Sequence, residues 1–210
     1  MRPFKFLLLA LVLSYTSCNS STPQTKAKNL GKYSKAYFAS GCFWCVEAIY
    51  ESVRGVKEVI SGYSGGHTKN PTYESSNTGK TGHAEAVEVY YDPKVVAFSD
   101  LVDVYFGSQN PLQVNGQGPD RGSQYRSIIF YQSDEELKII EKKKAELSEK
   151  LGTDVAAEVM PFDRFWKAEG YHQDFEKRNP YQPYVMAVSV PRLNKFKEKF
   201  PGLLKEEQNH

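Results

Sequence analysis

Cys42 and Cys45 are the residues of this chain best placed by type and spacing to do chemistry. They lie in Ser40-Gly41-Cys42-Phe43-Trp44-Cys45-Val46-Glu47, just after the apolar run Ala36-Tyr37-Phe38-Ala39. The run reads as a buried strand, Gly41 as the turn and Cys42 as the first residue of a helix. On that helix Cys42, Cys45, Val46, Ile49 and Val53 recur at helical spacing, which puts both sulfurs on one face within disulfide reach. A thiol at a helix N-terminus meets unpaired N–H groups and the positive end of the dipole, and both favour thiolate. Phe43 and Trp44 fall off the stripe, as an aromatic wall beside the sulfur. The pattern offers a nucleophilic or redox thiol; it is also what a buried helix face with small core cysteines looks like.

Other groups could meet the sulfur. Along the predicted strand Ala84 to Tyr91, Glu85 shares a face with Val87, Val89 and Tyr91. A carboxyl on an apolar strand face tends to be kept neutral by desolvation and can then donate a proton near pH 7. The alternative is a strand-end carboxylate leaning into water. Glu88, on the alanine face, reads as a solvated residue near an edge. Tyr73 and Tyr125 offer phenols, although with 14 tyrosines in the chain packing is the plainer role for each. His83 and His172 lack the short mutual spacing of zinc ligands, so no metal site is expected.

The elements that must position these groups follow in order. After the first strand and the cysteine helix come strands over Lys57 to Tyr63 and Ala84 to Tyr91. A short helix capped by Ser99 runs to Phe106, and a strand covers Arg126 to Tyr131. Ser133-Asp134-Glu135-Glu136 opens a long amphipathic helix with Leu137, Ile140, Leu147 and Leu151 on one face, ended by Gly152. A last strand over Val155 to Val159 and a helix over Arg164 to Arg178 complete the pattern. The order β-α-β-β-α-β, then α-β, predicts an α/β (α+β) fold: a ferredoxin-like split β-α-β two-layer sandwich with a mixed sheet, long loops and an irregular C-terminal extension. The connections Ser64 to His83 and Ser108 to Gln124 are long enough to suggest functional loops.

The chain has 210 residues, 40% of them hydrophobic, as in an ordinary globular protein. Arg2 and Lys5, the apolar run Phe6 to Leu13 and the small residues up to Ser17 read as a signal peptide over 1–17. Cys18 follows where bacterial lipoproteins carry their lipid, although Tyr15 departs from the usual aliphatic residue; an ordinary leader with an inert Cys18 is the alternative. Residues 18–34 read as a polar tether and 35–210 as a single catalytic domain. Removing the leader takes the formal charge from +2 to 0, and no basic patch argues for nucleic acid. With Cys18 used, only Cys42 and Cys45 remain, a local pair rather than a disulfide framework.

Seven stretches carry a family resemblance. Gly41-Cys42-Phe43-Trp44, Gly62-Tyr63, Asn70-Pro71-Thr72-Tyr73, Thr81-Gly82-His83-Ala84-Glu85, Tyr91-Asp92-Pro93, Asp120-Arg121-Gly122-Ser123-Gln124-Tyr125-Arg126-Ser127 and Ala168-Glu169-Gly170-Tyr171-His172-Gln173 resemble, in register, the A-class peptide methionine sulfoxide reductases. The resemblance implies reduction of methionine S-sulfoxide, free or in proteins. Cys42 would be the nucleophile, Phe43 and Trp44 the methyl pocket, and Glu85 the acid, with Tyr73 and Tyr125 hydrogen-bonded to it. Asp120 would lie near the substrate backbone amide. It implies no bound cofactor and a thioredoxin or other dithiol as external reductant. Together with the leader and Cys18, the expectation is an exported, monomeric enzyme that is periplasmic or membrane-anchored. This chain departs from the family in two places. Cys45 stands where many members have Gly, and the tail Leu203 to His210 lacks the usual recycling cysteines, so Cys45 is expected to resolve. Gln109-Asn110-Pro111 replaces a common His-Asp-Pro and is expected to shift substrate-loop contacts. A thiol–disulfide oxidoreductase and a non-enzymatic lipoprotein module are the competing readings.

Overall fold

The computed structural model describes residues 29–206. The expected leader, Cys18 and the tether up to residue 28 lie outside them. The chain builds β1 (Ser34–Ala39), α1 (Phe43–Glu51), β2 (Val56–Ser64), α2 (Tyr73–Asn77), β3 (Ala84–Tyr91) and α3 (Phe98–Gly107). A small hairpin, β4 (Gly116–Gln117) and β5 (Asp120–Arg121), follows, then β6 (Ile128–Tyr131), α4 (Asp134–Leu151), β7 (Glu158–Pro161) and β8 (Phe165–Lys167). α5 (Phe175–Arg178), a wide turn at Val185–Ser189 and α6 (Val190–Lys199) close the described chain.

The main sheet runs β7-β6-β1-β3-β2-β8. Its inner four strands, β6-β1-β3-β2, are antiparallel to their neighbours, with α1 and α3 as crossovers, which is the ferredoxin-like arrangement. β7 adds a parallel strand beside β6, and β8 an antiparallel one beside β2. Strand alternation sorts β3 between two cores. Val87, Val89 and Tyr91 join the helix layer with Phe38, Ile49, Tyr50, Leu101 and Tyr105. Ala84 and Ala86 join Tyr37, Ile128 and Phe130 on the other face. Among the described residues no helix packs on that second face; Phe162 lies flat on Tyr37 there, ring centroids 3.7 Å apart.

Several expectations shift. Ser34 already pairs with Tyr91, so the first strand begins inside the expected tether. α3 starts before Ser99: its Asp100 carboxylate accepts from Ala97 N–H at 3.0 Å and does the capping. Ser133 caps α4 as expected, and Gly152 ends it in the left-handed conformation at φ 67°. Of the predicted face of that helix, Ile140 is fully buried while Leu151 is exposed. The strand expected over Val155 to Val159 slides to Glu158–Pro161, where β6 offers a free edge. Glu88 is no edge residue. β3 is central, and Glu88 is buried and accepts from Tyr37 OH at 2.8 Å and Lys35 Nζ at 2.9 Å.

The helix expected over Arg164 to Arg178 does not form as such. Phe165 to Lys167 instead satisfy the open edge of β2, a turn follows, and only Phe175–Arg178 is helical. Gly62 makes the pairing possible. A Cβ there would stand 2.3 Å from both the Phe165 ring and the Trp166 carbonyl oxygen. Since β8 leads directly into Glu169 and His172, this packing places part of the site. Gly62→Ala should therefore cost about 1–3 kcal/mol, as overpacking does, and loosen β8. Urea unfolding together with amide exchange at Trp166 and Lys167 checks it.

Candidate active site

Gly41, at φ +75°, turns the chain from β1 into α1, and a Cβ there would meet Gln117 Cβ at 2.6 Å. Cys42 is consequently the capping residue rather than the first helical one, and the helix begins at Phe43. The Phe43 N–H is one of the donors a helix start leaves without an internal partner. It donates to Glu85 Oε2 at 3.0 Å, across from β3. Only 2% of Glu85 is exposed. Burial pushes its pKa up to about 8, against the pull of the Phe43 N–H, and the charges of Asp120 and Cys45 push the same way. The carboxyl holds its proton at neutral pH, as its strand face suggests.

Both cysteines are reduced and buried. Burial, then the Cys45 sulfur and Glu85, push the Cys42 thiol well up, with only the Trp44 N–H opposing. Cys45 moves down to about 6. The hydrogen bond from the Cys42 thiol does most of this, and Arg192, Ser189 and Tyr184 add to it against burial. The two thiols titrate as a pair, and the Phe43 N–H, spent on Glu85, adds nothing toward a Cys42 thiolate.

One side of the sulfur pair is aromatic. Phe43, fully buried, packs with Tyr63, Tyr73 and His172, the last at 4.8 Å between ring centroids. Trp44 lies flat on Phe175 at 3.7 Å, and its Nε1 donates to His172 Nδ1 at 3.1 Å. Nδ1 thus accepts, so the ring proton belongs on Nε2, which faces Glu169 Oε2 at 3.9 Å. Burial lowers the His172 pKa and keeps the ring neutral. Glu169 also accepts from Tyr63 OH and Tyr73 N–H, each at 2.9 Å, tying the end of β2 to the start of α2.

The expected phenol contacts differ in detail. Burial raises the pKa values of Tyr73 and Tyr125, and the nearby Glu85 and Cys42 push the same way. Neither phenol is hydrogen-bonded to Glu85 here; that carboxyl is held by the Phe43 N–H. Asp120, on β5, bears on Glu85 but is engaged by Tyr184, whose OH donates to Oδ2 at 2.5 Å. The same hydroxyl lies 3.9 Å from Cys45 Sγ. Gln109 lines the groove that Cys45 also lines. Its Oε1 accepts from Ser40 Oγ at 2.8 Å and Ser127 Oγ at 2.7 Å, so it braces the Gly41 turn. Asn110 likewise pairs through its backbone with Gln117. His83 braces a loop, accepting from Gly66 N–H and meeting the Thr68 carbonyl oxygen.

Sequence reasoning missed Tyr184, Arg192, Glu169 and Glu47 as site residues and considered His172 only as a ligand. Glu47 had a visible signal, a carboxylate within the otherwise apolar Phe43 to Tyr50. It is buried, accepts from Ser61 Oγ at 2.7 Å and from Asp174 N–H at 2.8 Å, and is pushed by burial up to about 7. Asp174 holds a left-handed backbone at φ 50°, so Glu47 secures the strained turn that brings His172 and Phe175 against Trp44. Among the described residues Glu47, Glu51 and Asp174 form the one acidic group close enough to bind a cation; Lys177 already sits on Glu51 at 2.6 Å and Asp174 at 3.1 Å.

A paired thiol beside a neutral carboxylic acid and a dry aromatic wall defines a thiol-based redox site that can protonate what it attacks. Comparison with known proteins makes this specific. The family model for peptide methionine sulfoxide reductase matches residues 34–203, and the chain belongs to that family. A peptide methionine sulfoxide reductase MsrA of Polynucleobacter asymbioticus is 46% identical over 179 residues, 84% of this chain and 94% of the relative. The crystal structure of Mxr1 from Saccharomyces cerevisiae in reduced form has a TM-score of 0.69 at 34% identity, covering 76% of this chain and 92% of that one. Mxr1 in complex with Trx2 is also similar, with a TM-score of 0.50 at 25% identity over 72% of this chain and 91% of that one.

The neutral Glu85 has a stability signature. Its folded pKa, about 8, lies above the ordinary 4.5, so the folded state binds the extra proton between those values. The contribution to stability is then greatest below pH 4.5 and is lost as pH rises toward 8. Glu85→Gln escapes that loss, so its stability should gain on the native protein steadily across this window and level off above it. Urea unfolding of both proteins across the pH range is the measurement.

Proposed function

We infer that this chain reduces methionine S-sulfoxide, free or in proteins, to methionine. The carrying observation is the buried, protonated Glu85 held by the N–H of the residue that follows Cys42. Sulfoxide sulfur is a poor electrophile until its oxygen takes a proton, so a neutral acid must stand beside the attacking sulfur. Cys42 attacks the sulfoxide sulfur and Glu85 protonates the oxygen. Tyr73 and Tyr125 stand ready to donate to that oxygen as charge develops on it. Phe43 and Trp44 enclose the methyl group, with His172 and Phe175 holding the indole in place. Asp120 receives the substrate backbone amide. Net, thiol and sulfoxide give sulfenic acid and thioether, and Glu85 recovers from Cys42 the proton it lent. Cys45 then closes a disulfide with Cys42, with loss of water. A thioredoxin-like dithiol reopens it, a reading supported by the likeness to Mxr1 in its complex with Trx2. The chemistry needs no bound cofactor.

The basic and apolar first residues and Cys18 support export with a lipid on Cys18 and a monomeric, membrane-tethered or periplasmic enzyme. Mass spectrometry of the mature N-terminus and size-exclusion chromatography test these points.

With dithiol present, the S but not the R epimer of a methionine sulfoxide substrate should disappear. Cys42→Ser should abolish turnover, and Glu85→Gln should lower kcat roughly 10²–10⁴-fold, the usual worth of a positioned acid. Native kcat should fall as pH rises through about 8, where Glu85 loses its proton. Cys45→Ser should complete one turnover and stall with a thioredoxin-like donor. Loss of both epimers at equal rates, or full activity of Cys42→Ser, would overturn the assignment.

A further inference from the structure

The sulfur pair has two dissimilar surroundings. Cys42 adjoins Phe43, Trp44 and Glu85, whereas Cys45 lines a groove of about 860 Å³ between the 107–120 segment and α6. Arg192, Tyr184 and Asp120 share that groove. Arg192 is half-buried, and its donors all go to neutral oxygens: Nε to Ser108 O at 2.8 Å, Nη1 to Ser40 O at 3.0 Å and Nη2 to Ser40 Oγ at 2.9 Å. Among the described residues no carboxylate pairs with it. A guanidinium clamped in this way keeps its charge uncompensated and lowers the cost of placing an anion opposite. Tyr184 pulls the same way less strongly, its hydroxyl lying 3.9 Å from Cys45 Sγ and its proton going to Asp120.

We propose that Arg192 holds Cys45 as the thiolate that resolves the sulfenic acid. The proposal rests on the reductase reading and assigns a residue to its second step. The Cys45 thiolate attacks Cys42 Sγ and a sulfur–sulfur bond forms. The sulfur–oxygen bond of Cys42 breaks, and the oxygen leaves as hydroxide and takes the Glu85 proton to become water. Cys45 is oxidised and the sulfenic sulfur reduced by the same electron pair. The charged and titratable groups around Cys45 are Cys42 on α1, Glu85 on β3, Asp120 on β5, Tyr184, and Arg192 and Lys195 on α6, and the Cys45 thiol is held down to about 6 among them. In the next step a lower-pKa sulfur leaves more readily, so the dithiol should form its mixed disulfide on Cys42.

The test titrates Cys45 by thiolate absorbance in a Cys42→Ser background. Adding Arg192→Gln should raise the midpoint by at least one pH unit, a tenfold loss of thiolate on the acid side. Arg192→Lys, which keeps the charge but not the fork, should restore most of it. Ser40→Ala, which loosens the clamp but keeps the charge, should leave the midpoint in place. In otherwise native protein, single-turnover quenching should show Arg192→Gln slowing disulfide closure at least tenfold more than methionine formation, with sulfenic acid trapped meanwhile. An unmoved midpoint, a Ser40→Ala shift as large as that of Arg192→Gln, or equal slowing of both steps would overturn the proposal. Failure of the native protein to form methionine at all would instead overturn the reductase reading.

Discussion

The structure depends on placing a carboxylic acid and a thiol together, out of water, at the start of one helix. A helix start leaves backbone donors unpaired, and here the Phe43 N–H goes to Glu85 rather than to a capping side chain. That bond satisfies the buried carboxyl without ionising it, because one neutral donor does not outweigh desolvation. It also takes from Cys42 a donor that would have favoured its thiolate. Burial thus pushes both the Glu85 carboxyl and the Cys42 thiol toward their protonated forms, while the Cys45 thiol, one helical turn on, is pulled the other way.

From this follows a site with a dry side and a charged side. Phe43, Trp44, Tyr73 and His172 pack ring against ring on one side. Arg192, Tyr184 and Asp120 line the groove that Cys45 borders on the other. The two sulfurs therefore meet different surroundings although they are one helical turn apart. This division also explains the length of the chain after the sheet: β8 brings Glu169 and His172 to the aromatic side, and the segment up to α6 brings Tyr184 and Arg192 to the charged side.

Three buried polar side chains in this frame work as fasteners, although Gln109 Nε2 and His172 Nε2 are left without a hydrogen-bond partner. Glu88 links β3 to Tyr37 and Lys35 on β1, Glu47 holds the Asp174 turn, and Gln109 ties Ser40 to Ser127 beneath the Gly41 turn. Each crosses between elements distant in the chain, where a lost partner would leave a costly unpaired group. They restrict the site to one arrangement more sharply than apolar packing does.

Local pattern was enough to place the cysteine pair after a strand and turn, the apolar face of β3 with Glu85 on it, the capped α4 and the ferredoxin-like order, because each is written in neighbouring residues. The motifs marked the loops that carry Tyr73, Asp120, Tyr125 and His172. Tertiary structure alone decided that residues 164–178 pair with β2 instead of coiling, since the demand came from an open sheet edge. It alone decided that Glu88 is central and that Tyr184 and Arg192 join the site. Protonation depends on burial and on partners far along the chain, and neither is visible until the chain has closed on itself.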